Sequence, residues 1–107
     1  MLSNYKAQPI RSKKIRESAR GESCTLRLPC CNHNPETVVF CHINDGSKGM
    51  GRKPDDLSGV YACSSCHDMI DGRRPMTIDW QELPQILFRA LIETQRRLHA
   101  KEILIIK

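Results

Sequence analysis

The chain has 107 residues, 39% hydrophobic but only 5% aromatic, and six of them are cysteine. That composition describes one domain with a modest core, the size at which folds recruit metal or disulfide staples. The formal charge of +5 is unevenly spread: residues 1–20 carry six basic side chains (Lys6, Arg11, Lys13, Lys14, Arg16, Arg20) against Glu17, and the remainder balances eleven to eleven. No apolar run approaches the length that spans a bilayer, and residues 1–20 show neither an apolar signal core nor a small-residue cleavage site. The expectation is a cytoplasmic protein with reduced thiols, which favours metal–thiolate bonds over disulfides.

In chain order, residues 1 to about 9 read as a loose lead, and Arg11 to Arg20 as a short basic helix stopped by Gly21. Cys24 to Cys31 encloses Leu26-Arg27-Leu28-Pro29, a short strand or a knuckle ended by proline. Asn32 to Glu36 is a turn. Thr37 to Ile43, rich in β-branched residues, is the clearest strand and delivers His42 to its far end. A glycine-rich loop with three cations runs from Asn44 to Pro54 and suits phosphate contact. Leu57 to Ala62 predicts a second strand entering Cys63-Ser64-Ser65-Cys66-His67, after which a helix sets His67 and Asp71 on one face at i and i+4. Apolar residues at helical spacing (Leu83, Ile86, Leu87, Ala90, Leu91, Leu98) predict a C-terminal helix over about 81–100, with Asp79 and Glu82 as a capping box. Ile103 to Ile106 reads as a terminal strand, a packed tail or a sticky edge.

Zinc takes a closed tetrahedron of thiolates and imidazoles, commonly from two separated knuckles. Cys63 and Cys66 form one knuckle; Cys24 with either Cys30 or Cys31 forms the other, while Cys30 and Cys41 read as free buried thiols. The CxxCH string also matches haem attachment, but no export signal accompanies it and haem leaves the upstream cysteines without purpose. A redox CxxC explains neither the adjacent histidine nor those cysteines. With the knuckle fixed by zinc, His67 and Asp71 are placed to hold a second divalent ion near His42, and imidazole is the side chain suited to proton transfer near neutral pH. A base facing a metal is what phosphodiester hydrolysis requires. His33 and His99 show no partner at ligand spacing.

These features together resemble the HNH, or ββα-metal, endonucleases. More closely, Ile15 to Arg74, with Ala19-Arg20-Gly21, Cys31-Asn32, Asn34-Pro35-Glu36-Thr37, Cys41-His42-Ile43, Lys53-Pro54 and Ala62 to Asp68, is similar to the prophage-encoded YbcO-like nuclease family. It is similar at greater distance to the HNH domain of the phage recombination nuclease Ref. The resemblance implies an α+β fold: a small zinc-stapled ββα-metal module with a basic N-terminal arm or helix (1–20), a single domain over 21–107 with its core at 24–75, and a C-terminal amphipathic helix. It implies His42 as general base, Cys24, Cys31, Cys63 and Cys66 as the structural zinc site, and His67 and Asp71 as ligands of one catalytic cation (Mg²⁺, Mn²⁺, Ni²⁺ or Zn²⁺). Arg52, Lys53, Arg73 and Arg74, with Lys13, Lys14 and Arg16 of the arm, are the candidate DNA contacts. Two positions depart from the family pattern. Cys41 stands where many HNH enzymes place a metal-binding acid or histidine, and the middle asparagine is missing, with Asp56 its nearest substitute.

The expected function is a phage-associated DNA endonuclease leaving 5′-phosphate and 3′-hydroxyl ends, with DNA and a recombination protein as partners. The alternative is a catalytically silent zinc module that binds DNA or a recombinase.

Overall fold

The structure is a computed structural model and describes residues 9–43 and 55–107. Its centre is a two-stranded antiparallel sheet of β1 (Val39–His42) and β2 (Gly59–Ala62), in the register Val39 with Ala62, Phe40 with Tyr61, Cys41 with Val60 and His42 with Gly59. Strand pairing thus puts His42 opposite a glycine at the end of the hairpin where the chain passes from β1 to β2. The first predicted strand is shorter than expected because Pro35–Thr37 turns as a 3-10 helix, capped by the Asn34 side chain on the Glu36 N–H.

Helix α1 (Lys13–Glu17) is capped by Ser12, whose hydroxyl accepts from the Ile15 N–H at 3.2 Å; it buries Ile15 against the body. The predicted basic helix is therefore shorter than the run of charges, and Gly21, at φ 78°, turns the chain toward the first cysteine. Residues Cys24 to Cys31 form a knuckle with no strand in it. Leu26 and Leu28 point into the core while Arg27 bends the backbone at φ 49°.

Helix α2 (Ser64–Ile70) follows β2 directly, with Cys63 as its N-cap. It ends in a Schellman arrangement at Gly72 (φ 82°): the Gly72 N–H bonds to the Met69 carbonyl and the Arg73 N–H to that of Asp68. Asp71 is thereby fixed as the last residue of the turn.

Helix α3 (Leu83–Ala100) begins with Pro84 in its first turn, where the missing N–H costs nothing. The expected capping box does not form. Glu82 occupies the N-cap without a side-chain bond, and Asp79 caps the Gln81 N–H instead. The buried stripe is Ala90, Thr94 and Leu98. Thr94 receives the Tyr61 N–H at 3.3 Å and lies 3.2 Å from the Thr25 hydroxyl, while the Thr25 N–H and hydroxyl both bond to the Tyr61 carbonyl. The outer edge of β2 is thus covered, with its polar groups paired. Ile103 to Ile106 form no strand, and Ile105 and Ile106 remain 69% and 77% exposed. Among the described residues no helix is long and apolar enough to cross a membrane.

Candidate metal centre and active site

Two knuckles converge at the start of α2. The sulfurs of Cys24, Cys31, Cys63 and Cys66 all lie within 4.8 Å of one another. The Cys63 and Cys31 sulfurs are 3.7 Å apart, close to the roughly 3.8 Å edge of a tetrahedron with metal–sulfur bonds of about 2.3 Å. In each half the first cysteine accepts an N–H from three residues on: Arg27 to Cys24 at 3.5 Å and Cys66 to Cys63 at 3.4 Å. Such bonds favour thiolate over thiol. The donor set fits a metal held by four sulfurs. Cys30 stands apart and directs its sulfur to the Ser65 carbonyl, 3.5 Å away.

The electrostatics of the four sulfurs show what a cation would relieve. A hydrogen bond from the Cys66 thiol, against the opposing effect of burial, pulls Cys24 down to about 4. Cys66, as the partner of that bond and buried, is pushed up strongly. Burial, with the nearby Cys24 charge, raises Cys31 to about 11. One negative sulfur thus suppresses ionisation of its neighbours, and a divalent ion reverses that sign. His33, expected as a bystander, places Nδ1 3.6 Å from the Cys31 sulfur, next to the cluster. Its signal in the sequence was its position two residues after Cys31.

At the other end of the hairpin, His42 projects on the same strand face as Phe40, whose ring meets the imidazole edge-on at a centroid distance of 5.2 Å. His42 Nε2 lies 2.7 Å from Oδ1 of Asp56, a fully buried carboxylate. Burial alone would raise the Asp56 pKa. Hydrogen bonds from His42, the Ser12 N–H and Arg16, with the Arg11 charge, outweigh it and hold the group below the usual carboxylate range. The sequence marked Asp56 only as a substitute for a missing asparagine. It comes to His42 from fourteen residues away because the antiparallel register folds the hairpin back on itself.

On α2, His67 Nε2 and Asp71 Oδ2 are 3.2 Å apart, one helical turn from each other and both partly accessible. Cys41, on the strand face opposite His42, is buried and pushed up to about 12, first by burial and then by the charge of Asp71. Of the expected DNA contacts, Lys13, Lys14 and Arg74 are exposed. Arg16 is turned inward to Asp56 at 2.6 Å, and Arg73 is shared between Asp68 at 3.2 Å and Asp71 at 3.5 Å. Arg52 and Lys53 lie outside the described residues.

Comparison with known proteins places this arrangement in context. The family model described as "Putative nuclease YbcO" matches residues 13–103. The chain is 43% identical over 83 residues to "Putative nuclease YbcO" of Escherichia coli (strain K12), covering 76% of this chain and 85% of that protein. The "Putative nuclease ybcO" of Enterobacteria phage 82 matches to the same extent. A solved structure, described as "Structure of a putative bacteriophage protein from Escherichia coli str. K-12 substr. MG1655", superimposes with a TM-score of 0.68 at 37% identity, covering 83% of this chain and all of that one.

Proposed function

The chain belongs to the YbcO family, and on that premise we propose that it is a metal-dependent DNA endonuclease of the HNH type. One geometric relationship supports this reading. A histidine paired with a buried carboxylate ends β1, and β2, its antiparallel partner, runs through Cys63 into the helix that carries His67 and Asp71. Base and metal-ligand pair are thereby mounted on one ββα unit, which a metal in the four-cysteine cluster would staple where β2 passes into α2.

In this reading His42 takes the proton of the attacking water. A divalent cation bound at His67 and Asp71 would supply charge stabilisation at the phosphorane and the departing 3′ oxygen. The helix geometry presents His67 and Asp71 together, so their mutual contact, with that of Arg73 on the same Asp71 oxygen, must open to admit the ion. Lys13, Lys14 and Arg74, with Arg73, Arg52 and Lys53, contact phosphates, which gives affinity without base readout. Targeting would then come from a recombination partner. The products are 5′-phosphate and 3′-hydroxyl ends.

The test is to incubate zinc-loaded protein with supercoiled plasmid and each of Mg²⁺, Mn²⁺, Ni²⁺ and excess Zn²⁺, comparing wild type with His42→Ala. Nicking or linearisation that requires added metal and disappears in the variant supports the assignment. DNA binding without cleavage under every ion would favour a silent zinc-stabilised binding module.

A further inference from the structure

Four donors converge on the buried carboxylate of Asp56. Oδ1 meets His42 Nε2 at 2.7 Å and Arg11 Nη1 at 3.4 Å; Oδ2 meets the Ser12 N–H at 2.6 Å and Arg16 Nη1 at 2.6 Å. The chain around it is tied to the same segment: the Asp56 N–H donates to the Ile10 carbonyl at 2.7 Å, and the Ile10 N–H donates to the Asp55 carboxylate. An ionised carboxylate only accepts hydrogen bonds, so the His42 nitrogen that faces it must carry a proton. The neutral ring then has its lone pair on Nδ1.

We propose that Asp56 is a positioning residue for His42, holding the imidazole in the Nε2–H tautomer so that Nδ1 is the atom that receives the proton from water. The proposal rests on the reading of His42 as the general base. Ser12 and Arg16 occupy Oδ2, Oδ1 takes the histidine at 2.7 Å with Arg11 farther off at 3.4 Å, and the edge of Phe40 limits rotation of the ring. The segment Ile10–Arg16 therefore serves the active site from behind. Arg16, which charge alone assigned to DNA, spends its guanidinium on the carboxylate that orients the base.

The chemical step balances without further reagents. A water O–H bond breaks and its proton moves to His42 Nδ1, the oxygen attacks phosphorus, and the phosphorus–O3′ bond breaks with its electron pair on O3′, which takes a proton from solvent water to become the 3′-hydroxyl; His42 afterwards returns its proton to solvent. The resulting imidazolium faces the Asp56 carboxylate, which remains ionised throughout.

A long-range ¹H–¹⁵N spectrum of the zinc-loaded, ¹⁵N-labelled full chain, recorded where the His42 ring is neutral, reads the tautomer directly. The expected result for wild type is Nε2–H. In Asp56→Asn the amide oxygen can keep Ser12 and Arg16 while its NH₂ faces His42, which forces Nε2 to accept and moves the proton to Nδ1. That variant should show the inverted tautomer and lose about 10³-fold or more in plasmid cleavage, as an orienting Asp→Asn change does in a Ser-His-Asp triad. DNA affinity should stay within about twofold of wild type, on the order of 0.4 kcal/mol.

An Nδ1–H ring in wild type overturns the proposal, and this measurement decides even where Asp56→Asn fails to fold. Full cleavage by Asp56→Asn beside an inactive His42→Ala removes the positioning role alone. Full cleavage by His42→Ala removes the base assignment, and the positioning role with it.

Discussion

Glu93 of α3 grips Arg27 of the first knuckle with both carboxylate oxygens, at 3.0 and 2.8 Å. The same carboxylate also takes Arg97 at 2.6 Å and Arg89 at 3.4 Å, and those two arginines reach on to the carbonyls of Ser23, Thr25 and Leu26. The C-terminal helix thus holds the backbone of the cysteine knuckle in place through one acidic side chain. It orients the half of the four-cysteine cluster whose members are seven residues apart and least able to organise themselves.

The Arg27 hydrogen bond, against partial burial, and the charges of Arg27, Arg97 and Arg89 hold Glu93 below its usual pKa. With the folded value depressed, the native state binds fewer protons. The stabilisation is present above the unfolded value of about 4.3 and is lost as pH falls through the folded one. Because the group is partly solvated, Glu93→Gln should cost only about 1 kcal/mol at neutral pH. That cost should shrink toward zero below about pH 4. Thermal denaturation of both proteins in excess zinc at the two pH values checks this; a cost that does not change with pH would show that the lost interaction is packing rather than charge.

Gly59 sits opposite His42, and a Cβ built there would lie 2.2 Å from a ring carbon of Phe40. The ring would have to move, and it is the ring that meets His42 edge-on. Gly59→Ala should destabilise by about 1 to 3 kcal/mol, typical of overpacking. Cleavage should fall further than the unfolded fraction explains, because the displaced ring loosens the imidazole. Melting curves paired with plasmid assays well below the transition separate the two effects; activity tracking folded protein alone would deny Phe40 a part in holding His42.

How far these relationships were legible in sequence depends on their range. The CxxCH knuckle, the helix after it and the i, i+4 pair of His67 and Asp71 are local, and spacing alone placed them. Helix α3 was equally visible in its apolar period, yet Thr94 was passed over because a polar residue in a buried stripe breaks the pattern that reveals the stripe. The inward turn of Arg16 was invisible for another reason: counting charge along the chain cannot see a carboxylate forty residues away in sequence. Asp56 was marked only by its place in the family pattern, and its partner was hidden because the register of β1 on β2 is what brings it to His42.

Thr94 leads to its own prediction. Its hydroxyl is the partner of the Tyr61 N–H on the covered edge of β2, and both residues are fully buried. Thr94→Val keeps the shape but leaves that N–H unpaired, along with part of the Thr25 hydroxyl's bonding. The expected loss is about 1 to 3 kcal/mol, the cost of an unsatisfied buried donor. Thr94→Ser, which keeps the hydroxyl, should retain more stability than the valine variant in denaturant titrations; the reverse order would make the methyl group, not the hydrogen bond, the contribution of this position.

The four-sulfur cluster makes the most direct prediction. Cys31 contributes to the group within 4.8 Å while its neighbour Cys30 turns to the Ser65 carbonyl. Cys31→Ser should therefore abolish tight retention of one zinc per chain and strongly lower thermal stability, whereas Cys30→Ser should retain the metal. Cobalt substitution offers an optical readout, because tetrahedral thiolate cobalt absorbs intensely and its charge-transfer bands scale with the number of sulfur ligands. Metal affinity should weaken as pH falls, since the thiols that burial and the Cys24 charge keep protonated must give up protons to bind. Equal loss of cobalt absorbance in the two serine variants would mean that the knuckle can exchange one cysteine for the other. Retention in Cys31→Ser with loss in Cys30→Ser would move the ligand by one residue, and would require the backbone at Pro29 to Cys31 to differ from the turn that the Cys31 N–H makes with the Leu28 carbonyl at 2.8 Å.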